Sequence, residues 1–119
     1  MAEGKAMVSF NSPYTVVKTE QRLINILNTK AFKIFAQINH AEGAKTVNIS
    51  LPETRVIIFG KPQVGSQLMQ CSSTVAVDLP QKILIRKTES QVKLAFNSPK
   101  FLHKRHQLNT CEPLLKKNQ

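Results

Sequence analysis

The sequence predicts an α+β fold, an antiparallel sheet with helices packed on one face. Three observations carry this. Several short segments alternate apolar and polar residues at period two; one longer segment repeats its apolar residues at helical spacing; and strands come singly or in hairpins with few helices between them. A doubly wound parallel sheet needs a crossover helix for each strand pair, and the chain has too few. The 119 residues suffice for one small domain, and 41% hydrophobic content is enough for a packed core.

MVSF (7–10) reads as a short strand closed by the turn signal Asn11-Ser12-Pro13. Thr15 is a good N-cap for a helix running to about Thr29. Val16, Thr19, Leu23, Ile26 and Leu27 share one of its faces, with Lys18, Arg22 and Asn25 opposite. In 32–39 the period switches to two: Phe32, Ile34, Ala36 and Ile38 point one way, while Phe35 breaks the polar side. Residues 40–44 form a connector or a single helical turn. Val47, Ile49 and Leu51 alternate as a further strand ended by Pro52. RVIIF (55–59) is a continuous apolar run, expected to be buried on both faces. Pro62 opens a helix whose buried side is Val64, Leu68 and Met69. KILIR (82–86) and VKLAF (92–96) make a hairpin, and Ser98-Pro99 begins a last basic helix. The expected organisation is a single domain over 7–108, an N-terminal extension over 1–6 and a basic tail over 109–119.

Seventeen Lys and Arg against seven Asp and Glu give a formal charge of +10, which attracts anions of every size. The cations are dispersed, however, and dense only from Lys100 to Lys117. With no Trp, one Tyr and no nucleic-acid-binding motif, a solvated basic surface ranks ahead of specific nucleic-acid binding, which stays as the alternative. No apolar run approaches the roughly 20 residues that span a bilayer.

FGKPQVGSQLM (59–69) invites comparison with a phosphate-cradling loop. A Walker loop needs Lys-Ser or Lys-Thr directly after its last glycine, and here Ser66-Gln67 follows Gly65. Lys61 stands at the wrong end, and Pro62 removes an amide from the cradle. The segment reads instead as a strand-to-helix turn. Gly60 gives a sharp exit, Gly65 allows close approach, and the helix start with Lys61 beside it suits a small anion.

His40, at a strand end, suits ligand contact, acid–base work or metal ligation, and backbone capping about as well. His103 and His106 share a helix face but lack acidic or cysteine partners nearby in sequence, so no metal site is assigned. No catalytic residue and no cofactor is assigned either. Cys71 and Cys111 fit no metal spacing. They are ordinary thiols in a reducing compartment, or close a loop of about 40 residues in an oxidising one. AEGKA after Met1 reads either as a mature start behind a cleaved signal or as a native or vector start.

SPYTVVKTEQRLINIL, FKIFAQINHAEGA, VIIFGKPQVGSQLMQ, VDLPQKILI and FNSPKFLHKRH, in that order, resemble the bacterial domain-of-unknown-function 302 family over residues 8 to 106. The series His40, Phe59-Gly60, Pro62, Gly65, Leu68-Met69 and Leu79-Pro80 carries the resemblance. Lys61 and Ser66 depart from it, where Asn and Thr are usual. The resemblance implies a TATA-binding-protein-like architecture, commonly a homodimer, and no established reaction. Many members are exported and continue through an Arg-His pair to a C-terminal Cys, as Arg105-His106 and Cys111 do. That implies a periplasmic or secreted protein, with cytoplasmic as the alternative, in which Cys71 and Cys111 pair.

The resulting expectation is a non-enzymatic domain for a small or anionic ligand. Its pocket would lie between His40 and the loop from Phe59 to Gly65, lined by Met69, Arg105 and His106. His40 would be the polar contact, Lys61 and loop amides the anion contacts, Phe59 and Met69 the apolar wall. An enzyme using His40 is the third reading.

Overall fold

Five strands form one antiparallel sheet in the computed structural model, which describes residues 6–111. Residues 1–5, which hold all of the AEGKA start but its last alanine and all of the expected 1–6 extension but Ala6, and the tail beyond Cys111 lie outside the described residues. The strands are Met7–Ser12 (β1), Lys33–Asn39 (β2), Thr54–Gly60 (β3), Gln81–Thr88 (β4) and Gln91–Asn97 (β5), in the order β1-β5-β4-β3-β2. Four helices connect and follow them: Val16–Thr29 (α1), His40–Lys45 (α2), Pro62–Cys71 (α3) and Pro99–Arg105 (α4).

Helix α1 begins where Thr15 accepts a 3.1 Å bond from the Lys18 amide. It ends on Ala31, held at φ 63°, with the Phe32 amide reaching back to the Leu27 carbonyl. Its buried stripe is Val16, Thr19, Glu20 and Leu27, with Leu23 and Ile24 beside it. These pack on Ile57, Phe59, Ile85, Val92 and Leu94, which the strand registers place on one sheet face. Ile26, expected in the stripe, is exposed. At 100° per residue it lies about 90° from the stripe's centre, while Glu20 lies within it.

Glu20 is buried because it has a partner. Arg55 Nη1 donates to its Oε1 at 2.8 Å, tying α1 to β3. Ser12 and Thr19 join β1 to the same helix through a 2.6 Å hydroxyl–hydroxyl bond.

Two expectations about strands need correction. Residues 47–51 form no strand: turns follow α2, Asn48 takes φ 62°, and the Ile49 amide bonds back to the Ala44 carbonyl. Val47, Ile49 and Leu51 are exposed, so alternation there finds no neighbouring strand to bury it. RVIIF is not buried on both faces. Ile57 and Phe59 are buried, but Val56 and Ile58 on the opposite face are only half-buried.

That opposite face carries no helix of the core. Register runs Ile38, Val56, Leu84, Ala95 and Ser9 in a row across all five strands, with Thr54, Arg86, Lys93 and Asn11 in the next row. Lys82 stands in the row on the other side, opposite Ile58.

A second apolar cluster sits where β3 ends and β4 begins. Leu68 of α3, Val75 of the 3-10 turn Ser73–Val77, and Leu108 and Cys111 of the 3-10 turn Leu108–Cys111 make it up. The expected domain boundary at residue 108 therefore falls inside a packed element. Leu108 and Cys111 belong to the core, being 5% and 1% exposed.

Candidate functional site

Between the end of the sheet and α3 lies a cleft of about 570 Å³. β3 supplies Phe59, β2 Phe35 and the residue before it Phe32; α3 supplies Val64, Leu68 and Met69; Leu79 and Pro80 complete the lining. Of the expected site residues, Phe59, Gly60, Lys61, Gly65 and Met69 all line it. Met69, expected both on the buried side of the helix and as apolar wall, is 36% exposed and serves as cleft wall. Phe32 and Phe59 meet edge-to-face at 5.4 Å, which stiffens the apolar floor.

Lys61 sets the electrostatics of the rim. Its Nζ lies 4.7 Å from the centre of the Phe32 ring, so the charge is held over the apolar wall. It is also the N-cap residue of α3 and makes no side-chain cap bond. Pro62 has no amide hydrogen, and the amides of Gln63 and Val64 have no intrahelical carbonyl to reach. The Gly65 amide closes the turn on the Lys61 carbonyl at 2.9 Å. Cation and helix start thus favour negative charge at this edge. The lining holds no carboxylate, histidine or cysteine.

Neither glycine is required by backbone conformation, since no glycine has positive φ among the described residues. A Cβ on Gly60 would stand 3.6 Å from Pro80 Cβ, and one on Gly65 3.7 Å from Leu79 Cδ1, both ordinary contacts. The sharp strand exit expected of Gly60 is made without a left-handed residue.

His40 does not join this cleft. Lys33 pairs with Gly60 at one end of β2, and Asn39 pairs with Arg55 at the other. His40 follows Asn39, so at 3.3 Å per residue it stands about 20 Å from the loop. It is the exposed first residue of α2, whose N-cap is the Asn39 side chain. The sequence places both at strand ends, but antiparallel pairing makes them opposite ends.

Arg105 and His106 are not in the cleft lining either. His106 is buried and bonded at both ring nitrogens: Nε2 to Asp78 Oδ2 at 2.5 Å and Nδ1 to the Thr74 hydroxyl at 2.8 Å. A carboxylate only accepts, so Nε2 carries the hydrogen there. The hydroxyl at Nδ1 can donate or accept, which satisfies the imidazole in either charge state. Ser72 donates to the His106 carbonyl at 2.8 Å, and Arg105 Nη1 adds a 3.1 Å contact to Asp78. This network clamps the end of α4 onto the segment after α3. Cys71 and Cys111 are disulfide-bonded beside it, with Cα atoms 5.8 Å apart.

A second cleft of about 520 Å³ adjoins the first and shares Leu68, Leu79 and Gln81 with it. Pro99, Lys100, Leu102 and His103 of α4 and Leu108 complete its lining. The sequence reading missed Phe32, Phe35, Leu79 and Gln81 as site residues. The Leu-Pro pair in the family series was the available signal for Leu79.

The family described as "Domain of unknown function DUF302" matches residues 3–118. A "Fluoride-specific ion channel FluC 1" from Brucella suis is 36% identical over 103 residues, covering 86% of this chain but 41% of that protein. The protein of the same description from Brucella abortus is also 36% identical over 103 residues, covering 86% of this chain and 38% of its own length. The chain thus spans about two fifths of the length of these curated relatives. The "uncharacterized conserved protein DUF302 from Bacillus stearothermophilus" superposes with a TM-score of 0.82 at 14% identity, covering 93% of this chain and 88% of that one. At that identity the likeness establishes the fold alone.

Proposed function

We propose that this chain, which belongs to the family Domain of unknown function DUF302, is a binding domain for a small molecule with an apolar body and an anionic group. The carrying observation is the cleft whose apolar lining has Lys61 at its rim and no carboxylate anywhere in it. A lining without histidine, cysteine or carboxylate, whose one titratable side chain is Lys61, favours holding a ligand over turning it over. Octanoate is a suitable probe. Titrated into the protein and followed by amide chemical shifts, it should saturate and perturb 59–69, and Lys61→Glu should weaken it at least tenfold. Unchanged 59–69 resonances at millimolar octanoate would overturn the reading.

A second reading rests on the open sheet face. Lys82, Arg86 and Lys93 stand there around the Ile38–Ala95 row, and no strand residue of that face is acidic. This favours nucleic acid or an anionic surface as partner. DNA binding that persists at submicromolar affinity in physiological salt would promote it; loss at that salt leaves a solvated face. The row's exposed Ile38 and half-buried Val56 and Leu84, with the free edges of β1 and β2, also support a homodimer, which light scattering showing only monomer at high micromolar concentration would rule out. The disulfide supports an oxidising compartment, hence the periplasm or the exterior; finding the native protein with two free thiols would exclude it.

A further inference from the structure

We infer that the two adjoining clefts form one site for a single long-chain carboxylate, its head at Lys61 and its chain laid across Leu68 and Leu79 into the second cleft. This rests on the ligand-binding reading of the first cleft and goes beyond it by naming the ligand class. Three observations carry it. The clefts share Leu68, Leu79 and Gln81, so their walls are continuous. Between the Phe32–Phe35 end and the Leu102–Leu108 end, the shared apolar contacts are aliphatic, which suits a flexible hydrocarbon better than a rigid ring.

The third observation is charge. Neither lining contains an acidic residue, and each holds one lysine: Lys61 in the first, Lys100 in the second. The head is assigned to Lys61 because the unpaired first-turn amides of α3 reinforce that cation, whereas α4 is too short to add a comparable field. A chain confined to the first cleft gains nothing once its tail reaches solvent. A chain crossing the shared leucines gains for every further methylene it buries, about fourfold in affinity each.

Calorimetric titration with octanoate, dodecanoate and hexadecanoate, each below its aggregation limit, tests this. Affinity should rise at least tenfold from octanoate to dodecanoate and rise again to hexadecanoate. His103→Trp, which narrows the second cleft from its partly exposed wall, should erase that gain and leave octanoate unchanged. Lys61→Glu should weaken all three equally. Equal affinities along the series, with octanoate still bound, would overturn the long-chain inference and keep the ligand-binding reading. Failure of every chain length to bind would overturn both. Gain along the series that survives His103→Trp would also count against it, because the chain would then leave by another path.

Discussion

Replacing Glu20 by Ala removes a charged link between α1 and the sheet. The Arg55–Glu20 bond is 2.8 Å long, with the two side chains 25% and 10% exposed. Truncation takes away a charge-assisted bond worth about 1.5–3 kcal/mol and leaves a guanidinium whose Nε already makes no hydrogen bond. A fully buried unpaired charge costs about 3–5 kcal/mol, but Arg55 keeps a quarter of its access to water, so about 2–3 kcal/mol is expected. For a chain of 119 residues, the unfolding entropy is about 250 cal/mol/K, which converts this to a fall of roughly 10 °C in Tm. Circular dichroism melts and urea titrations measure it. The penalty arises from the orphaned partner, so Glu20→Leu combined with Arg55→Met should return to within about 1 kcal/mol of wild type. The pair lies under a helix, so molar salt should change the loss little. A single-variant loss under about 0.5 kcal/mol, or a double variant that loses the sum of both singles, would refute the reasoning.

Ala31 holds φ 63° at the end of α1, so Ala31→Gly should stabilise the fold by about 0.5–1 kcal/mol; an unchanged or lowered urea midpoint would count against strain there. Removing the disulfide with Cys71→Ala and Cys111→Ala should cost about 4 kcal/mol on the chain-entropy estimate for a separation of 40 residues. A loss below about 1 kcal/mol in equilibrium urea unfolding would show that the denatured chain is already constrained in that region.

Legibility in the sequence followed the range of the forces involved. Thr15 and Ser98 act through hydrogen bonds within one turn and Pro62 through its fixed φ, and all three stand at helix starts as expected. Apolar alternation was legible in the β4–β5 hairpin, where neighbours exist to bury it, while β3 read as a continuous run buried on both faces. The same alternation at 47–51 misled, because period two reports a strand only when another strand pairs with it. The cleft was half legible. Phe59 to Met69 are contiguous in sequence, so any local fold gathers them. His40 and His106 depend on which end of an antiparallel ladder they meet and which carboxylate they find. Asp78, in contact with both Arg105 and His106, looked like a solitary acid.

The disulfide also changes how the molecule would carry a load. Residues 71 and 111 are joined, so tension applied at the chain ends passes from one sulfur to the other and bypasses the 40-residue separation between them. That hidden segment contains β4 and β5, the strands lying between β1 and β3 in the sheet. A stretched chain would therefore surrender its flanking strands while about 140 Å of contour stays slack inside the loop. Reduction would release that length at once, making the oxidised and reduced forms two tethers of different reach.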